Sequence, residues 1–431
     1  MSPLVLLALR TDPPGFLRAL AARYGDLVYF RARGQHYYLV NHPDYLEEVF
    51  VKQSRNFMKG PTVQMTRHVM GDGLLASEGD FHLRQRRLIQ PMFHRQRIEG
   101  YGQVMVDYAA RLAERWQAGT RLNINEEMMA LTMSIVGKTL FGTEVAAEAA
   151  EVGQALYVLL EAFEQLNNPL LGLYLRLNVP VFKPAEAARD RLQAIITRMV
   201  AEHRASGDRG DLLSMLLAAQ HEDSGQGMSD AQVLSEAMTL FLAGHETTAN
   251  ALTWTWYLLS QNPAEAAGLH AELDRVLAGR PPTAEDLPRL AYTRRVVAEA
   301  LRLYPPGWAT GRTALRDVEL GGYTLPAGAT LILSQWVTHH DARFYPEPFA
   351  FQPDRWLPEA MASRPKLAYF PFSAGPRLCI GEPFAWMELT LVMATLAQQW
   401  RLRLAPGHRV ALRPQFTLRP KGGMPMLLER R

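Results

Sequence analysis

The sequence predicts a mainly α-helical protein with a smaller β portion. From about Tyr45 to Asn262, apolar residues recur three and four apart. One stretch inside that region, from Ser229 to Asn262, is apolar almost all round and has no internal breaker. Alternating or proline-rich segments are confined to about 25–45, about 305–335 and the C-terminal strands. A chain of 431 residues with 48% hydrophobic and 21% charged residues can bury a large core. It holds no repeat, low-complexity tract or long linker, and its length fits two or three ordinary domains or one large one spanning residues 1–431.

Taken in order, "LVYFRARGQHYYLV" alternates around Gly34 and reads as a hairpin. "YGQVMVDYAARLAERW", "EEMMALTMSIVGKTLFG" and "AARDRLQAIITRMVAEHRA" follow as amphipathic helices. Ser229 and Gln232 form a capping box, and Asn262-Pro263 ends the helix they start. That helix spans about 32 residues, or roughly 48 Å, and should cross the centre of the protein. A shorter helix ends at "EALRLYPP", and "EPFAWMELTLVMATLAQQW" is a last helix directly after the only cysteine, Cys379.

Several classes are excluded early. With 46 basic and 43 acidic residues there is no concentrated basic face for a nucleic acid. A single cysteine forbids an internal disulfide framework and fits a reducing compartment. The apolar run at the N-terminus stops at Arg10, well short of the roughly 20 residues that span a bilayer. It also lacks the basic flank and cleavage site of a signal peptide. No transmembrane anchor and a cytoplasmic location are therefore expected.

Cys379 lies in "FSAGPRLCIG". A lone cysteine is commonly a small buried hydrophobe. Here Gly375 and Gly381 would permit tight turns beside a flat ligand, while Arg377 and the following helix N-terminus would favour thiolate. One thiolate cannot build a zinc or iron–sulfur site, but it can be an axial ligand to haem iron. In mid-helix, "AGHETTA" begins like a zinc-protease motif, but Ala249 stands where the second histidine is needed. Its buried Glu-Thr-Thr run must be satisfied or used, and threonine bonding back to the preceding turn is one way to satisfy it. Glu299 and Arg302, three apart, form a natural helical ion pair.

Phe372, Gly375, Arg377, Cys379 and Gly381 together match F-x-x-G-x-R-x-C-x-G, and the chain resembles the cytochrome P-450 superfamily over essentially its whole length. The resemblance implies the fold of that superfamily, with the long central helix over haem b and Cys379 on the iron. It implies that the helix is distorted at Ala243–Thr247, that Thr247 hydrogen-bonds dioxygen, and that Glu246 takes part in proton delivery. Ala243 shares the ligand-facing side. Glu299 and Arg302 resemble the E-x-x-R pair, with Arg355 as third member, a scaffold that locks the cysteine loop. His82, Arg86, Arg312 and Arg377 match residues that hold the haem propionates.

The implied activity is insertion of one oxygen atom of dioxygen into a lipophilic small molecule. Electrons would come from ferredoxin or flavodoxin with an NAD(P)H-dependent reductase. Arg84, Arg87, Arg95 and Arg97, with Arg86, offer a basic face for such a partner or a merely solvated helix. The apolar "LNNPLLGLYLRLNVPVF" and the Met-bearing "MKGPTVQMTRHVMGDGLL" suggest a fatty acid, terpenoid or carotenoid-like substrate. A haem-thiolate isomerase or dehydratase needing no reductase, and a non-catalytic haem sensor, are the alternatives. Nothing in the sequence demands more than a monomer.

Overall fold

A computed structural model describes residues 11–32, 34–142, 182–219 and 227–431, together with Ala155, Val158, Leu159 and Ala162. The apolar "LNNPLLGLYLRLNVPVF" segment, apart from its last residue, Phe182, lies outside the described residues. The longer helices are α1 (Pro13–Tyr24), α2 (Gly79–Ile89), α3 (Arg95–Arg115), α4 (Ile124–Phe141), α5 (Lys183–Ser206), α6 (Asp230–Gln261), α7 (Pro263–Leu277), α8 (Ala291–Leu303) and α9 (Glu382–Ala397). The strands used below are β1 (Leu27–Ala32), β2 (Gln35–Val40), β3 (Phe57–Lys59), β4 (Thr310–Ala314), β5 (Thr330–Leu333), β6 (Leu412–Pro414) and β7 (Leu418–Pro420).

α6 is the expected central helix, 32 residues long, with the Ser229 side chain accepting the Gln232 N–H at its start. Most of its circumference is buried because α3, α4, α8 and α9 surround its C-terminal half with one continuous apolar cluster. Trp254 illustrates the packing: it is fully buried, stacks on Tyr304 at 4.2 Å and donates its indole N–H to the Leu418 carbonyl. α9 is equally apolar all round, and it too is buried from Met387 to Ala397. Among the described residues no helix is long and apolar enough to cross a membrane.

The β1–β2 hairpin forms as read, with Gly34 at φ 83° in its turn. It belongs to a five-stranded sheet in the order β1-β2-β5-β4-β3. β3 is a departure from the expected helical run. Three residues are too few to show a period of two, and β3 is made by pairing with β4, more than 250 residues away, with Lys59 opposite Arg312. That pairing places two basic side chains on neighbouring strands, next to the cysteine loop.

Below the sheet, His339 and His340 are both buried. Burial pushes His340 down to about 3 and His339 well below its ordinary range. His339 Nε2 accepts the Phe370 N–H at 3.0 Å. Because both histidines titrate lower in the fold than unfolded, their stability contribution is complete above pH 6.5 and is lost as pH falls below it. Moving from pH 7.5 to 5.5 should cost about 1.3 kcal/mol per histidine. Urea unfolding at the two pH values checks this, and His340→Gln should remove its own share. A stability independent of pH across that window would contradict it.

Candidate active site

Between Glu236 and Trp256, the burial of α6 is interrupted at one place. Ala243 is exposed and Gly244 and Thr247 are half-buried, while Phe241, Leu242, His245 and Glu246 around them are buried. Residues four apart share a face, so Ala243 and Thr247 form an open stripe in the middle of the protein. The Thr247 hydroxyl donates to the Ala243 carbonyl at 2.8 Å, which is the back-bonded form. α6 runs through this point as unbroken α-helix, so the expected distortion is not there. The carbonyls are instead satisfied in place: Thr132 of α4 donates to His245 O at 3.0 Å, and Gly244 lets Val136 pack closely on the helix.

Cys379 is exposed although protein surrounds it, as befits a side chain at the wall of an internal space rather than in a core. Its neighbour Ile380 packs on the apolar cluster to which Leu240, Phe241 and Leu242 of α6 also belong. Burial pushes the thiol up from its ordinary range. The backbone N–H groups of Gly381 and Glu382 and the Arg86 guanidinium favour thiolate, and the Glu382 carboxylate opposes them. The helix start thus favours thiolate as expected, but the guanidinium that does so is Arg86 and not Arg377. Arg86 is the guanidinium next to the loop, donating to Leu378 O at 2.7 Å, whereas Arg377 turns to Glu78. A bound metal cation is what would complete deprotonation.

The loop glycines also act differently from the expectation. Gly375 has φ 69°, and a Cβ there would lie 2.0 Å from the Phe50 carbonyl oxygen, so it is needed against the protein's own backbone. Gly381 has an ordinary φ and caps α9; a Cβ there would meet the Cys379 sulfur only at 3.9 Å. Phe372 holds the other side of the loop, accepting the Cys379 N–H at 3.0 Å and packing on Trp386.

His82, Arg312 and Arg377 are brought together around Lys59, with Arg86 beside the cysteine loop; sequence reading had not singled out Lys59. The Lys59 ammonium donates to Leu74 O and Ser77 O, both at 2.8 Å, and burial pulls it down to about 7. Arg312 is buried and lowered to about 10 by burial and by Arg377. His82 is lowered to about 3 by burial and by Lys59, Arg377 and Arg86. Glu78 pairs with Arg377 at 2.5 Å and accepts Lys59 N–H at 2.6 Å. His82 Nε2 and Arg377 Nη1 are buried without a hydrogen-bond partner among the described residues. Concentrated positive charge with unpartnered buried donors is costly unless an anion joins it. A dianionic group beside an open cysteine sulfur fits this donor set, and haem with its two propionates is such a group.

Glu299 and Arg302 are fully buried and joined twice, at 2.9 and 2.7 Å. Arg355 approaches Glu299 at 3.3 Å. Arg302 donates to His339 O, Pro348 O and Ala350 O, and Glu299 accepts from Gln352 N and Trp356 Nε1. The triad therefore clamps 339–356 onto α8, and His339 passes the restraint to Phe370, where the cysteine loop begins.

Glu246 is buried and bound to a neighbouring hairpin. Its carboxylate accepts from Arg419 Nε at 2.6 Å and from the Thr417 hydroxyl, in and beside the β6–β7 hairpin. Asn250 joins through Thr417, and Asn125 through Asn250. Arg419 and Thr417 carry no local motif and were not foreseen. Neither was Glu388 of α9, fully buried beside Thr248, whose carboxyl burial pushes well above its ordinary range.

A profile of the cytochrome P450 family matches residues 3–426. This chain belongs to the cytochrome P450 family. Among P450 relatives, it is 42% identical to cyclooctatin synthase of Streptomyces melanosporofaciens, over 96% of this chain and 90% of that one. It is 37% identical to pentalenene oxygenase of Streptomyces avermitilis, over 91% and 88%. The crystal structure of the cytochrome P450DA heme domain superposes with a TM-score of 0.89 at 25% identity, covering 98% of this chain and 93% of that one. P450 monooxygenases are haem-dependent oxidoreductases that draw on dioxygen and redox partners. The fold is the mainly α P450 fold.

Proposed function

We propose that this P450 oxygenates a cyclic terpenoid, using haem b held by Cys379 and electrons from a separate ferredoxin or flavodoxin. The observation that supports it best is the open Cys379 sulfur next to Arg86, with unpartnered buried nitrogens on His82 and Arg377. Related proteins are named for pentalenene, an alkene by its name, and for cyclooctat-9-en-7-ol. Of the three lipophilic classes, these names favour ring terpenoids.

When bound, haem supplies oxygen activation, aided by electron donation from a thiolate. His82, Arg86, Arg312 and Arg377, joined by Lys59, orient it through its propionates. Ala243 leaves room for substrate against α6. The Thr247 hydroxyl can turn from Ala243 O to donate toward that space, and Glu246, poised by Arg419, is the acid from which protons are resupplied through water. Arg84, Arg87 and Arg97 are exposed around the inward-facing Arg86, a basic surface complementary to an acidic electron donor.

Two expected results test this reading. With surrogate ferredoxin, reductase and NADPH, pentalenene or cyclooctat-9-en-7-ol should yield a product carrying one atom from labelled dioxygen. Conversion without label would favour an isomerase or dehydratase, and haem binding without conversion a sensor. Thr247→Ala should keep NADPH consumption but lower oxygenation on the order of 10²-fold, with peroxide formed instead. Unchanged coupling would remove Thr247 from proton delivery.

A further inference from the structure

Glu78 is an acid set among the bases assigned above to the propionates. It stands at the first, non-helical position of α2, with φ −136° and ψ 166°, yet its side chain does not cap that helix. It turns instead to β3 and the cysteine loop.

The two carboxylate oxygens serve two sides. Oε1 accepts the Lys59 N–H of β3 at 2.6 Å and the Gln64 side-chain amide at 3.0 Å, the latter from the short helix Pro61–Met65. Oε2 accepts Arg377 Nη2 at 2.5 Å. The same Nη2 donates to Phe57 O at 3.1 Å, so one end of the guanidinium is tied down by a charge and a carbonyl. The other end, Nη1, is buried without a hydrogen-bond partner among the described residues. A guanidinium is planar and rigid, so fixing Nη2 fixes the direction in which Nη1 donates.

Charge leads to the same place. The Glu78 carboxylate favours the charged forms of Lys59, Arg312 and Arg377, against the burial that lowers all three. Three basic groups around one carboxylate leave room for two further negative charges, the number that two propionates bring. Taking Glu78 away would not simply make the cluster more attractive to an anion. Lys59, already pulled down to about 7, would lose the carboxylate that raises it and would shed its proton. The charge gained is then given up again, and the lasting change is the loss of the Arg377 anchor.

We propose that Glu78 is a positioning residue for haem, holding Arg377 by Nη2 so that Nη1 is presented to a propionate. This rests on the haem reading above. Glu78 acts through Arg377 and β3, so its effect should depend on the propionates being charged.

The test follows haem loss from the loaded protein to excess apomyoglobin, once with haem and once with haem dimethyl ester, whose propionates carry no charge. Glu78→Ala should release haem about tenfold faster than wild type, because Arg377 loses a charge-assisted bond. Glu78→Gln keeps an acceptor for the Lys59 N–H without the charge, and should release haem about threefold faster. With the dimethyl ester, both variants should stay within about twofold of the wild-type rate. Equal acceleration with both forms would make Glu78 a support of the fold alone and overturns the proposal. Unchanged haem loss also overturns it, as does slower loss, which would show Glu78 competing with the propionates for Arg377. Wild-type protein that takes up no haem would contradict the haem reading itself, a result distinct from failure of the role given to Glu78.

Discussion

Replacing Glu299 with alanine should cost about 3–5 kcal/mol, because it strands a guanidinium in the interior. Arg302 has no exposed surface, and its Nε and Nη2 both rely on Glu299. Gln352 N and Trp356 Nε1 would lose their acceptor in the same change, and Arg355 its buried counter-ion. The segment 339–356 would then loosen from α8, and the cysteine loop with it through the His339–Phe370 bond. Urea unfolding should show the loss of stability, and purified protein should hold little haem. Glu299→Gln should fall between, since it keeps the shape and loses the charge. A Glu299→Ala variant within about 1 kcal/mol of wild type would contradict the scaffold role.

Cys379→Ser should abolish oxygenation while leaving the fold of the haem-free protein nearly untouched. The Cys379 side chain is exposed, and the loop is held by its backbone: its N–H donates to Phe372 O at 3.0 Å. Stability in urea should therefore stay within about 0.5 kcal/mol of wild type. A serine oxygen is a harder, more basic ligand than thiolate sulfur and does not supply the same electron donation to iron. Retained oxygenase activity would exclude Cys379 as the ligand. A large loss of stability without haem would mean that the cysteine is a core residue after all.

The parts legible in the sequence are those whose cause is local. Ser229 with Gln232 and Asn262-Pro263 bound α6 because capping and helix termination act over a few residues. Glu299 and Arg302 meet because three residues make nearly one turn. Cys379, Arg377 and the two glycines could be recognised together, although the particular duties of Gly375 and Arg377 could not. Gly375 faces the Phe50 backbone, and Arg377 faces Glu78, each about 300 residues away in the chain.

The rest of the site is built by long-range pairing. Lys59 joins the basic cluster because β3 pairs with β4, and a three-residue strand has no pattern to read. Arg419 finds Glu246 across 173 residues, and Glu236 holds Leu74 across 162. A lone buried acid such as Glu388 is likewise unreadable without knowing that its helix is enclosed on every side.

The most direct test of the account is the absorption spectrum of the reduced, carbon-monoxide-bound protein. Ligation by Cys379 predicts the red-shifted Soret band that sets thiolate-bound haem apart. A Soret band at the position of histidine-ligated haem would contradict it.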